Sequence, residues 1–104
     1  MDETFIAQRL ALLRTKKNVS ARDMSLSIGQ SNNYICNIEN GKSAPSIQGF
    51  FYICEYLNIE PKDFFDEGNT NPALLNEVIE QLKPLSDKAL EAVLSLIREI
   101  RGRR

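Results

Sequence analysis

Three asparagines in an uncharged window are the residues of this sequence best suited to reading a ligand by hydrogen bonds. Asn32 and Asn33 are adjacent, Asn37 follows, and no charged residue occurs from Met24 through Ile38. An amide side chain donates and accepts at once, so it can pair with N6 and N7 of adenine in two parallel bonds. The alternative interpretation is a polar helix surface that binds nothing.

The apolar residues around the asparagines predict a short helix that turns them outward. Ile35 and Ile38 share one face, and the three asparagines lie on the other. Ser31 is the predicted N-cap, and Asn40 with Gly41 ends the helix. This geometry would place Asn32 and Asn33 in the first turn.

A second short helix is predicted just before it. Ser20 is its N-cap with Asp23 three residues on, Met24 and Ile28 share a face, and Gly29 stops it. Two short helices joined by a glycine turn, the second with an amide-rich outer face, are typical of a helix-turn-helix motif. In that motif the second helix lies in the major groove of DNA.

This segment resembles the helix-turn-helix of the phage Cro and repressor family, also called the xenobiotic response element family. The residues that carry the resemblance are Gly29, Ser31, Tyr34-Ile35, Ile38-Glu39, Gly41-Lys42 and Pro45-Ser46. Flanking matches are Arg9-Leu10, Leu13-Arg14, Leu57-Asn58-Ile59 and Asp63-Phe64-Phe65. The resemblance covers roughly residues 4 to 66 and implies a five-helix, lambda-repressor-like domain that binds double-stranded DNA.

The resemblance implies that Asn32, Asn33 and Asn37 contact bases. The residues expected at the DNA backbone are Arg22, Ser31, Tyr34, Asn40, Lys42 and Ser43. Tyr34 has two alternatives: it could touch a thymine methyl group or pack against the first helix. Many family members have a glutamine at the position of Ala21, and here Arg22 would take the place of that glutamine. The family also implies an ion pair between Arg14 and Glu39; the alternative is a solvated arginine.

The remaining N-terminal sequence predicts three more helices. The first covers residues 3–17, with the apolar stripe on Phe5, Ile6, Leu10 and Leu13, and with Arg9, Lys16 and Lys17 on the wetter side. The fourth begins after Ser46 and runs through Leu57. The fifth runs from Pro61 to Phe65, and Phe64 with Phe65 is expected to close the core.

Residues 66–72 are rich in turn-forming types and predict a break, so we expect a domain at 1–66, a linker at 67–71 and a second element at 72–104. Pro72–Lys83 and Asp87–Arg101 read as helices, with Pro84 as a breaker, Ser86 as a cap and a basic tail after Arg101. The apolar stripe of the last helix contains Leu90, Val93, Leu94, Ile97 and Ile100. Such a face predicts homodimerisation; the alternative is packing against the chain's own first domain.

Composition argues against several other functions. The chain has no histidine, its carboxylates are scattered, and its two cysteines, Cys36 and Cys54, are too few for a zinc site. We therefore expect no catalytic activity, no metal site and no cofactor. The cysteines indicate reduced thiols in a cytoplasmic protein, although Cys36 could serve as a redox handle. No apolar run is long enough for a membrane span, and the acidic N-terminus is unlike a secretory signal.

The sequence therefore predicts an all-α, sequence-specific transcription regulator, a repressor, that binds DNA as a homodimer. The net charge of −1 is not the basic footprint usual for such proteins. That charge favours the alternative, in which the same fold serves as a protein-interaction module or antitoxin with a protein partner and weak DNA binding.

Overall fold

The computed structural model describes residues 2–102, except for the side chain of Glu3. Over this range the chain is all-α, as predicted, with seven helices and no strand. The helices are α1 (Glu3–Lys17), α2 (Ala21–Ser27), α3 (Tyr34–Glu39), α4 (Ile47–Leu57), α5 (Pro61–Phe64), α6 (Pro72–Leu82) and α7 (Asp87–Arg101). Arg103 and Arg104 of the predicted basic tail lie outside the described residues.

Serine caps begin three of these helices, as the sequence predicted. The hydroxyls of Ser20, Ser46 and Ser86 each accept a hydrogen bond from a backbone N–H of the first turn, at 3.0 to 3.2 Å. Each bond satisfies one of the donors that a helix start leaves unpaired. The caps fix where α2, α4 and α7 begin.

The chain divides into two compact units, Met1–Ala73 and Leu74–Arg104. The core of the first unit is built from one buried face of each of its helices. Its buried residues are Leu10, Leu13, Met24, Ile35, Ile38, Ile53, Cys54, Leu57, Ile59 and Phe64. Helix α3, the second helix of the predicted motif, thus contributes Ile35 and Ile38, the two isoleucines that the sequence assigned to its inner face.

Stacked aromatic rings close this core at one end. Phe64 is buried and meets Phe50 edge-on, with the ring centroids 5.1 Å apart. Phe65, which was predicted to close the core with Phe64, is 39% exposed and lies over Phe5 and Phe50 at centroid distances of 6.1 and 5.5 Å. Phe65 follows the end of α5, so its side chain covers the outside of the cluster.

Arg9 is buried, so the prediction that it lies on the solvent side of α1 is wrong. Its side chain is only 4% exposed, and its Nε donates to the carbonyl oxygen of Phe64 at 2.6 Å. Its Nη2 lies 2.7 to 2.8 Å from the carbonyl oxygens of Asp63, Asp66 and Asn69. One charged side chain therefore donates to four carbonyl groups of α5 and the following loop. Burial lowers the pKa of Arg9 from its ordinary value, against the opposing effect of nearby carboxylates.

Arg9 also shows how far the first unit extends. Asn69 lies inside the segment predicted as a linker, yet its carbonyl is held by α1. Pro72, the first residue of α6, is fully buried, and the first unit continues through Ala73.

The second unit contains most of α6 and all of α7, joined by residues 83–86. Its apolar side chains are largely in solvent. The exposed residues are Leu74, Leu75, Val78, Ile79, Leu85, Leu90, Leu94, Leu96, Ile97 and Ile100. Val93 at the middle of α7 is half-buried.

Candidate nucleic-acid interface

The turn between α2 and α3 is held by two backbone hydrogen bonds that only a left-handed residue permits. Gly29 has φ +78°; its N–H donates to Leu26 O at 3.1 Å, and the next N–H, of Gln30, donates to Ser25 O at 2.9 Å. This pair of bonds is the Schellman arrangement at a helix end. Glycine at this position lets the chain reverse within one residue, and so sets the start of α3.

The hydroxyl of Ser25 links the two helices of the motif directly. Ser25 is fully buried; its Oγ donates to Ala21 O at 2.7 Å and accepts from the N–H of Ile35 at 3.0 Å. The N–H of Ile35 belongs to the first turn of α3, where helices lack internal partners. A side chain from α2 therefore supplies the cap of α3.

This arrangement corrects the predicted start of the second helix. We expected Ser31 as N-cap, but α3 begins at Tyr34, and the residue before it, Asn33, makes no side-chain cap hydrogen bond. Ser31 instead accepts from the N–H of Tyr34 through its backbone carbonyl, at 3.1 Å. Since the cap comes from Ser25, the chain at 31–33 is free to form a turn rather than a first helical turn.

The amide residues fall at the start and the middle of the α3 segment. Asn32 and Asn33 are exposed in the turn that leads into α3, not inside the helix as predicted. Asn37 is half-buried one turn further on, and its backbone N–H donates to Asn33 O at 2.9 Å. Because Ile35 and Ile38 are buried on the opposite side, α3 is anchored along one face and offers amides along the other.

The end of α3 is closed in the same way as the end of α2. Gly41 has φ +75°, and the N–H of Lys42 donates to Asn37 O at 2.8 Å. Lys42 and Ser43 are exposed in the loop that follows. Asn40 is also exposed, and its Nδ2 donates to Cys36 Sγ at 3.3 Å. The predicted backbone-contacting residues of this segment thus lie together at the C-terminal end of α3.

Besides Ser31, two backbone candidates remain, and both lie at helix starts. Arg22 is exposed as the second residue of α2. Tyr34 is half-buried, and its hydroxyl reaches Gly49 in α4, where an added Cβ would come within 2.5 Å of it. Burial raises the pKa of Tyr34. The side chain of Tyr34 therefore packs between α3 and α4.

Arg14 joins α1 to the end of α3. Its Nε lies 2.7 Å from Glu39 Oε2 and its Nη2 3.0 Å from Oε1, while Nη1 donates to Val19 O at 2.8 Å. The two side chains are only 18% and 12% exposed. The hydrogen bonds to Glu39 raise the pKa of Arg14. This bidentate pair fixes the C-terminal end of α3, as Ser25 fixes its start.

Sequence reasoning missed two residues that position this surface, although a spacing signal existed for both. Ser25 lies four residues after Ala21 and one after Met24, which places it on the buried face of α2. Arg9 lies four residues after Phe5 and four before Leu13, inside the apolar stripe of α1. In each case the polar residue type was given more weight than its position.

The comparison with known families agrees with this geometry. The helix-turn-helix domain family matches residues 7–69. The match begins within α1 and ends at Asn69, whose carbonyl oxygen accepts a hydrogen bond from Arg9. The chain belongs to the helix-turn-helix domain family. This match confirms the motif and agrees with the Cro/repressor-like resemblance. The helix-turn-helix domain family is one of DNA-binding regulatory domains. No curated protein and no solved structure gives a significant match to the chain.

Two further observations concern the part of this helix-turn-helix chain that the structure describes. Between residues 2 and 102, no group of three or more histidine, cysteine, aspartate or glutamate side chains is placed to hold a metal ion. Of the helices in the described range, none combines the length and the apolar character that a membrane span requires.

Proposed function

We propose that this chain is a sequence-specific transcription regulator, a cytoplasmic repressor that binds double-stranded DNA as a homodimer. The observation that carries the proposal is the anchoring of α3. Ser25 holds its start, Arg14 holds its end through Glu39, and the side chains of Asn32 and Asn33 at its start are exposed. A helix fixed at both ends presents its side chains to a groove in one orientation, which base recognition requires.

In this proposal the amides read the base edges. Asn32 and Asn33 precede the helix and would enter the major groove first, and Asn37 would follow one turn along. Each asparagine can donate to N7 and accept from N6 of an adenine. The neutral window around them leaves sequence reading to hydrogen bonds rather than to charge.

The residues around α3 would hold the phosphates. Lys42, Ser43 and Asn40 lie at the C-terminal end of the helix, and Ser31 precedes its start, where Tyr34 fills the space toward α4. Arg22 is exposed at the start of α2. Only two of these side chains are cationic, so one copy neutralises few phosphates and binds weakly. Two copies joined together would bind through effective concentration and would read both halves of a palindromic site.

The function is tested by selecting bound sequences from a random duplex pool and then comparing two variants on the selected site. Asn33→Ala should lose preference at one base pair by roughly 1–3 kcal/mol while the fold is retained. Lys42→Ala should weaken all duplexes alike and reduce the salt dependence. Lys62→Ala, an exposed lysine of α5, is the matched control and should change neither property.

The results separate DNA reading from the alternative function. An Asn33→Ala chain with the parent's preference would refute the base-contact assignment. If no sequence is enriched at all, the protein-interaction module or antitoxin becomes the better description, because the near-neutral charge would then have no compensating base contacts.

The homodimer is tested in the full chain by sedimentation equilibrium. Val93→Glu together with Ile97→Glu places charges at the centre of the apolar stripe of α7 and should yield monomers. Ser95→Glu, on the opposite side of the same helix, should leave the dimer intact. A parent chain that is monomeric at micromolar concentrations would refute the homodimer.

A further inference from the structure

The apolar residues of α7 form a pattern that reads the same in both directions. They lie at equal separations on either side of Ser95, as the pairs Leu94 and Leu96, Val93 and Ile97, and Leu90 and Ile100. A surface that binds its own copy across a two-fold axis must be complementary to itself. A stripe that is symmetric about its midpoint meets that condition when two helices run antiparallel.

The helical geometry places the midpoint of this stripe on one side of α7. At about 100° per residue, Val93 and Ile97 lie on either side of its centre line, Leu94 and Leu96 lie at its edges, and Ser95 lies opposite. Most of the stripe is exposed, from Leu90 (37%) at one end to Ile100 (59%) at the other, and Val93 near its middle is half-buried. Apolar surface of this extent is typical of an interface.

Building on the proposed homodimer, we propose that the α7 helices of two chains pack antiparallel about a two-fold axis. That axis passes between the two helices at the level of Ser95. Val93 of one chain then contacts Ile97 of the partner subunit, and Leu90 contacts the partner's Ile100. Each of these contacts occurs twice because of the symmetry.

The charges at the ends of α7 favour this direction over the parallel one. Asp87 is in the first turn and Arg101 is in the last, and both lie beside the same edge of the stripe. In the antiparallel pair, Arg101 is displaced by two residues, about 3 Å along the axis, from the partner's Asp87. In a parallel pair, Arg101 and the partner's Asp87 would lie at opposite ends of the two helices, so this attraction would be lost.

Disulfide trapping distinguishes the two directions in the full chain. The exposed Cys36 is changed to serine, and the buried Cys54 is retained because it is 2% exposed. Chains with Val93→Cys and chains with Ile97→Cys are oxidised separately and as an equal mixture in a glutathione redox buffer. Facing side chains near the centre of an antiparallel pair meet the Cα separation of roughly 4.4–6.8 Å that a disulfide needs.

We expect crosslinking only in the mixture, with one chain of each kind in the product by mass spectrometry. Leu90→Cys mixed with Ile100→Cys should behave in the same way, and it serves as a second pair if the first fails to fold by circular dichroism. Ser95→Cys is the matched control; it faces away from the partner and should stay uncrosslinked.

The outcomes also separate this arrangement from the homodimer itself. Crosslinking of Val93→Cys with its own copy would establish a parallel pair and overturn the arrangement while keeping the homodimer. The absence of crosslinks in both mixtures, with dimers still seen by sedimentation, would place the interface elsewhere. Monomers in sedimentation would overturn the homodimer as well.

Discussion

Replacing Ser25 by alanine tests whether one hydroxyl fixes the start of α3. Ser25 and Ile35 are both fully buried, so the N–H of Ile35 would lose the Ser25 acceptor with no water to replace it. A buried donor left unpaired costs roughly 1–3 kcal/mol. We therefore expect the free energy of unfolding of Ser25→Ala to fall by about that amount.

Two measurements on the same sample identify the cause. Urea denaturation should show a lower midpoint with an unchanged slope, because the folded state remains as compact as before. Amide hydrogen exchange by NMR should show faster exchange at Ile35 than the global loss explains, with Ile38 in the same helix as the internal reference. The first measurement gives the size of the effect, and the second gives its place.

The matched control is Ser27→Ala, which removes an exposed hydroxyl from the same helix. We expect this change to stay within about 0.5 kcal/mol of the parent, as surface substitutions usually do. If Ser25→Ala and Ser27→Ala are equally stable and Ile35 exchanges at its parent rate in both, the reasoning about the shared hydroxyl is wrong.

Three further predictions follow from buried polar groups of the first unit. Arg14→Ala and Glu39→Ala should each destabilise the chain, and a double-mutant cycle by chemical denaturation should give a coupling of roughly 0.5–3 kcal/mol. Arg9→Met should lower the free energy of unfolding by about 2 kcal/mol or more, since hydrogen bonds to charged groups contribute roughly 1.5–3 kcal/mol; Lys16→Met is its exposed control. Burial raises the pKa of Cys54 to about 11, so stability should fall as pH rises from near 9 toward 11, and Cys54→Ala should lack this loss.

Each of these predictions has a result that contradicts it. Additive single changes would mean that Arg14 and Glu39 do not interact in solution. Equal stability of Arg9→Met and Lys16→Met would mean that water replaces the guanidinium at the four carbonyl groups. For Cys54 the sign follows from its raised pKa: the unfolded thiol ionises first, which favours unfolding by about 1 kcal/mol at pH 10. Identical pH profiles of the parent and Cys54→Ala would contradict it.

The sequence by itself determined the helices and the motif. Caps, glycines and prolines act through the local backbone, so Ser20, Ser46 and Ser86 marked helix starts that the structure has at the same places. Gly29 and Gly41 marked the ends of α2 and α3 for the same reason. The spacing of apolar residues gave the inner faces of α2 and α3, where Met24, Ile35 and Ile38 are buried, because burial follows the helical period.

Only the tertiary structure decided which polar groups are buried and what they hold. Arg9 reaches carbonyl groups more than fifty residues away, and Ser25 caps a helix other than its own. Such bonds join groups that are distant in sequence, and a local pattern contains no information about the partner. The start of α3 was misplaced for this reason: an N-cap was sought at Ser31, in the adjoining sequence, whereas the fold supplies it from α2.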